Sequence, residues 1–64
     1  MLDIIDRQLL YELANGTKMN KLPKIISMSL AGLEKRKRNL KALFDIPDED
    51  DRALLQIART KGFI

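Results

Sequence analysis

The sequence predicts an all-α domain of four helices, laid out as a helix-turn-helix unit. Three observations carry this. Apolar residues recur at three- and four-residue spacing in four separate segments. Capping residues, glycine or proline stand between those segments. Nothing alternates apolar and polar residues for more than a few positions, so no strand is expected. The helices are expected at about 3–14, 21–27, 30–44 and 50–61, within a single domain that spans residues 1–64.

The first helix opens at Asp3, whose carboxylate can accept from the free backbone N–H groups of a helix start, and buries Ile5, Leu9, Leu10 and Leu13. Asn15-Gly16 supplies its left-handed stop. The second helix is short, with Leu22, Ile25 and Ile26 as its apolar set, because Pro23 is tolerated only in a first turn. Ser27-Met28-Ser29 makes the turn, and Ser29 caps the third helix. Asp45-Ile46-Pro47-Asp48 ends that helix, since proline restricts the residue before it. Asp48 or Asp50 caps a fourth helix with Leu54, Leu55, Ile57 and Ala58 facing inward, closed by Lys61-Gly62. Phe63 and Ile64 are expected to return to the core, Met19 and Met28 to fill gaps, and Tyr11 to sit half-buried at its edge.

Composition narrows the function. The chain has 64 residues, 45% hydrophobic and 33% charged, which suits one compact domain of modest stability. It has no cysteine and no histidine. That removes disulfides, thiolate metal sites, the commonest metal ligand and the commonest general base, so neither catalysis nor a metal or cofactor is expected. The acids at 48–51 are consecutive and point in different directions, which suits a helix start better than a catalytic pair. No apolar run approaches the roughly 18 residues of a membrane span, and the opening residues lack a signal-peptide layout. A cytoplasmic protein without membrane contact is expected.

Net charge is +3, but its distribution is uneven. From residue 18 to residue 41 the only acid is Glu34, against Lys18, Lys21, Lys24, the run Lys35-Arg36-Lys37-Arg38, and Lys41; both flanks are net acidic. A basic centre between acidic ends is a directional surface suited to phosphate. On the third helix, at about 100° per residue, Glu34, Lys35, Arg38 and Lys41 share roughly 120° of arc with Ala31, while Leu33, Leu40 and Phe44 lie within about 40° on the opposite side. Like charges at helical spacing repel, and Glu34 relieves only the pairs with Arg38 and Lys37, so the cluster gains from an anion. A helix of about 15 residues, roughly 22 Å, can lie in a DNA major groove and still anchor a small domain.

Leu13-Ala14-x-Gly16, Ser29, Leu33, Asn39-Leu40, Phe44, Ile46 and Ala58-x-x-x-Gly62-Phe63-Ile64, in this order and spacing, resemble the LuxR-type (GerE-like) DNA-binding domain found at the C-terminus of many bacterial response regulators. The resemblance covers nearly the whole chain. It departs from the family pattern at Pro23, where alanine is usual, at Gly32, where threonine is usual, and at Arg36, where histidine is frequent. The link before the fourth helix is also longer, and the first helix lacks the family's arginine-glutamate opening.

The resemblance implies sequence-specific binding of double-stranded DNA by a transcriptional regulator. That regulator is either the C-terminal output domain of a longer two-component response regulator, with a receiver domain upstream, which is the preferred expectation, or a free-standing small regulator. The family's base-reading places fall on Glu34, Lys35 and Arg38. Arg38 and Lys35 would donate to guanine O6 and N7, and Glu34 would accept from cytosine N4 or pair with Arg38 one turn on. Phosphate contacts are implied for Ser29, Lys37 and Lys41, and for Lys18, Asn20 and Lys21 at the start of the second helix, where free N–H groups and the helix dipole favour anions. Homodimerisation through the fourth helix is implied for Arg52, Leu55, Gln56 and Arg59.

A helical docking module for an acidic partner protein is the competing expectation. RNA binding is disfavoured, because none of Tyr11, Phe44 and Phe63 stands among the cations to stack bases.

Overall fold

The computed structural model describes residues 2–64. It is all-helical, with helices α1 (Ile4–Ala14), α2 (Leu22–Ile25), α3 (Leu30–Leu43) and α4 (Asp51–Thr60), and a 3₁₀ turn over Met19–Lys21 that runs into α2. Its dimensions are 27 × 21 × 19 Å. Helix α1 packs against both α3 and α4, and the 3₁₀ turn and α2 pack against α3.

The caps explain the helix boundaries. Asp3 accepts from the Asp6 N–H at 2.8 Å, and the Asp6 carboxylate reaches back to the Asp3 N–H in a reciprocal box. Gly16, at φ +85°, turns the chain out of α1. The Ser29 hydroxyl accepts from the Gly32 N–H at 3.1 Å, and Asp50, rather than Asp48, accepts from the Ala53 N–H at 3.0 Å. Gly62, at φ +79°, ends α4, and the Phe63 N–H donates to the Ala58 carbonyl at 2.8 Å, returning the terminal segment to the core.

Two boundaries differ from expectation. Helix α2 has only four residues and stops at Ile25 instead of Ser27. Ile26 is extended, at φ −111° and ψ +123°, which turns its side chain inward until it is all but fully buried. With no side-chain cap at its start, α2 has little to keep it helical against that gain in burial. Helix α3 is closed by Asp45 rather than by proline. Asp45 adopts φ +64°, the Ile46 N–H reaches back to the Lys41 carbonyl at 2.8 Å, and Pro47 follows after the stop is complete.

The core comprises Leu9 and Leu10 of α1, Leu22 of α2, Leu33 and Leu40 of α3, and Leu54 and Ala58 of α4, with Leu2 ahead of α1 and Ile26 from the segment between α2 and α3. Phe44 and Phe63 stack over it with ring centroids 6.0 Å apart, and Met19 and Met28 pack at its margin. Tyr11 differs from expectation: it stands exposed on the outer side of α1.

Candidate nucleic-acid interface

Helix α3 has 14 residues and so extends about 21 Å. Its contacts divide it lengthwise into four strips. Leu33 and Leu40 face the core, continued by Phe44.

On the side towards α1, the Arg36 guanidinium donates from Nη1 to both carboxylate oxygens of Asp3, at 2.9 and 2.7 Å, and to Oδ1 of Asp6 at 3.2 Å. The hydrogen bond from Arg36, aided by the Asp6 N–H, holds the Asp3 carboxyl below its ordinary value, and hydrogen bonds to the Asp3 and Asp6 carboxylates raise Arg36. On the side towards α4, the Lys37 ammonium lies 3.2 Å from Oδ2 of Asp51 and the Lys41 ammonium 3.0 Å from Oδ1. Partial burial pushes the Asp51 carboxyl up, but hydrogen bonds from Lys41 and Lys37 outweigh it and leave Asp51 below its ordinary value.

The fourth strip faces solvent and carries Ala31, Lys35, Arg38, Asn39 and Ala42, all exposed. Among the described residues, neither Lys35 nor Arg38 has an acidic partner within ion-pair distance. Lys35 and Asn39 also border a shallow cavity of about 360 Å³, shared with Asp6, Met28, Arg36 and Leu43. Leu30 and Leu43 expose apolar surface near the two ends of the helix.

The expected contact residues therefore differ in availability. Lys35 and Arg38 point outward as the helical wheel requires. Glu34 is half-buried and turned towards α4: its Oε1 lies 3.4 Å from Lys37 Nζ, within ion-pair range but outside hydrogen-bond geometry, and Arg38 is not its partner. Lys37 and Lys41 are held by Asp51, with only 15% and 14% of their side chains exposed. Ser29 is exposed and accepts from Gly32, which leaves its hydroxyl proton free to donate outward.

Lys18, Asn20 and Lys21 are exposed on or beside the 3₁₀ turn. The helix-dipole argument for anion binding there loses most of its force, because the segment is a 3₁₀ turn of three residues followed by an α-helix of four. The positive charge of Lys18 and Lys21 remains, and the 3₁₀ turn packs alongside α3.

On α4, Arg52, Gln56 and Arg59 are exposed, whereas Leu55 is half-buried and packs on the core. Sequence reasoning missed the three aspartates that hold α3. Asp3 and Asp6 are helix-start residues near the opposite end of the chain from Asp51, and no local pattern shows that both groups converge on one helix.

Among the described residues, the arrangement offers an anion two unpaired cations, Lys35 and Arg38, on an outward helix face, flanked by further lysines. No helix among the described residues is long and apolar enough to cross a membrane. Compared with known proteins, the chain matches no family model, no curated protein and no solved structure.

Proposed function

We propose that this chain is a sequence-specific double-stranded DNA-binding domain of a bacterial transcriptional regulator. On the LuxR-type resemblance, it is the cytoplasmic output domain of a two-component response regulator. The observation that carries the reading is the solvent strip of α3, where Lys35 and Arg38 have no ion-pair partner among the described residues, on a helix tied along both flanks by ion pairs.

In this reading α3 lies in the major groove. Arg38 forks onto guanine O6 and N7, and Lys35 donates to similar acceptors. Glu34 reads a base only after leaving Lys37. Ser29, Lys18, Asn20 and Lys21 meet phosphates and set the register, joined by Lys37 and Lys41 when a phosphate takes the place of Asp51. The role is one of binding, without catalysis or cofactor.

Selection from a random duplex library, followed by salt titration on the enriched site, tests this reading. The expected outcome is an enriched site whose affinity falls steeply with salt, as for on the order of four to six phosphate contacts per monomer. Arg38→Ala should change the preferred sequence, whereas Lys41→Ala should weaken all duplexes alike. No enrichment would reject DNA reading, and equal effects of the two substitutions would reject the assigned roles.

One observation favours a second reading. The exposed Leu30 and Leu43 near the ends of α3 would suit an acidic amphipathic partner helix as well as a nucleic acid. Failure of every duplex, with retained binding to such a peptide, would select it.

A further inference from the structure

Asn15-Gly16, where α1 ends, is the only place in the sequence at which asparagine precedes glycine. Asparagine is chemically labile because the backbone nitrogen of the next residue can attack its side-chain amide. Glycine leaves that nitrogen unhindered, having no Cβ beside it. Both residues are exposed, and a Cβ built on Gly16 would meet nothing within 4 Å, so the approach is open. Asn20 and Asn39 differ: they precede the larger side chains of Lys21 and Leu40, and Asn39 lies inside α3.

The fold holds the pair away from reaction. Gly16, at φ +85°, completes a Schellman turn in which its own N–H donates to the Leu13 carbonyl at 3.1 Å and the Thr17 N–H donates to the Glu12 carbonyl at 3.0 Å. The Thr17 hydroxyl adds a bond of 2.8 Å to Oε1 of Glu12. Asn15 has ψ +1°, whereas ring closure brings the Gly16 nitrogen level with the Asn15 Cβ, at ψ of roughly −120° and outside the main allowed regions. The nitrogen can therefore attack only when the turn opens. Opening stays local, since Asn15 and Gly16 are exposed and the last turn of α1, unlike those of α3 and α4, has no basic side chain to hold its carbonyls.

We propose that Asn15-Gly16 is a self-modification site whose rate is set by opening of this turn. The Gly16 nitrogen gives its proton to hydroxide and bonds to Cγ of Asn15; the Cγ–Nδ2 bond breaks, and ammonia leaves with a proton taken from water. Water then adds to either carbonyl of the cyclic imide and reopens it, as an aspartyl link or as an isoaspartyl link through the side chain. One water is consumed and one ammonia released, with nothing oxidised or reduced. The product places a carboxylate at the negative end of the α1 dipole, one turn from Glu12, with no cation in that turn to offset it.

Incubation of the whole chain in mildly alkaline buffer, folded or in guanidinium chloride, followed by peptide mapping with mass spectrometry, tests this independently of any DNA reading. The expected result is conversion at Asn15 ahead of Asn20 and Asn39, with aspartyl and isoaspartyl products together, and a rate about tenfold or more lower in the folded chain. Thr17→Val, which loses the hydroxyl bond to Glu12, should raise the folded rate about two- to tenfold and leave the denatured rate unchanged. Asn15→Asp, which supplies the product charge, should lower Tm by about 2 to 6 °C. Conversion of Asn20 or Asn39 before Asn15, or products without the isoaspartyl link, would overturn the site. Equal folded and denatured rates, or a folded rate indifferent to Thr17→Val, would overturn control by the turn, and an unchanged Tm in Asn15→Asp would overturn the destabilising effect of the product.

Discussion

The ammonium of Lys41 on α3 lies 3.0 Å from Oδ1 of Asp51, the first residue of α4, and Oδ2 of the same carboxylate takes Lys37 at 3.2 Å. On the proposed DNA-binding reading, Asp51 competes with phosphate for these two ammonium groups. Replacing Asp51 with Asn removes the internal anion and retains the Asp50 cap of α4. The variant should bind duplex DNA about three- to tenfold more tightly at low salt, and the slope of log affinity against log salt should steepen by about one to two. A salt titration of both proteins checks this; parallel slopes would show that Lys37 and Lys41 never reach the phosphates.

Acid should weaken the fold through Asp3. Its folded-state carboxyl titrates below the ordinary 3.8, chiefly because Arg36 donates to it, so near that pH the folded chain binds fewer protons than the unfolded one. The stabilisation is complete above the ordinary value and is lost as pH falls through the folded one. In Asp3→Asn the side chain still caps α1 but no longer forms the ion pair. Urea midpoints measured from pH 6 down to pH 2 should fall less steeply for this variant than for the wild type.

Asp45→Gly should stabilise the domain. A non-glycine residue at φ +64° pays a steric cost that glycine avoids, offset in part by the entropy glycine loses on folding. The net gain should be about 0.5 to 1 kcal/mol, or a rise in Tm of about 3 to 6 °C for a domain of this size. Differential scanning calorimetry checks it, and an unchanged or lower Tm would mean that the Asp45 side chain compensates for its backbone.

Helices α1, α3 and α4 could be read from the sequence to within about a residue at each end, because each combines a helical apolar period with an acceptor side chain at its start. Helix α2 could not, since four residues are too few to show a period and Ile26 is set by burial rather than by local preference. The candidate site was legible only in part. The wheel separated Leu33 and Leu40 from Lys35 and Arg38, because that division depends on angle alone. It could not show which cations are already occupied: Arg36 meets Asp3 across 33 positions of chain, and Lys37 meets Asp51 across 14. Those pairings depend on how helices stand beside one another. Tyr11 is a similar case, since nothing in α1 itself says whether a neighbour covers its outer edge.

Asp3 both starts α1 and restrains Arg36, so the opening turn of α1 controls more than its own helicity. Transient fraying of that turn, an event far short of global unfolding, would release a third arginine or lysine beside Lys35 and Arg38 and strengthen the local positive potential. Hydrogen exchange at the Asp6 and Arg7 amides therefore reports, in one measurement, how often the turn opens and how often the domain displays its larger charge.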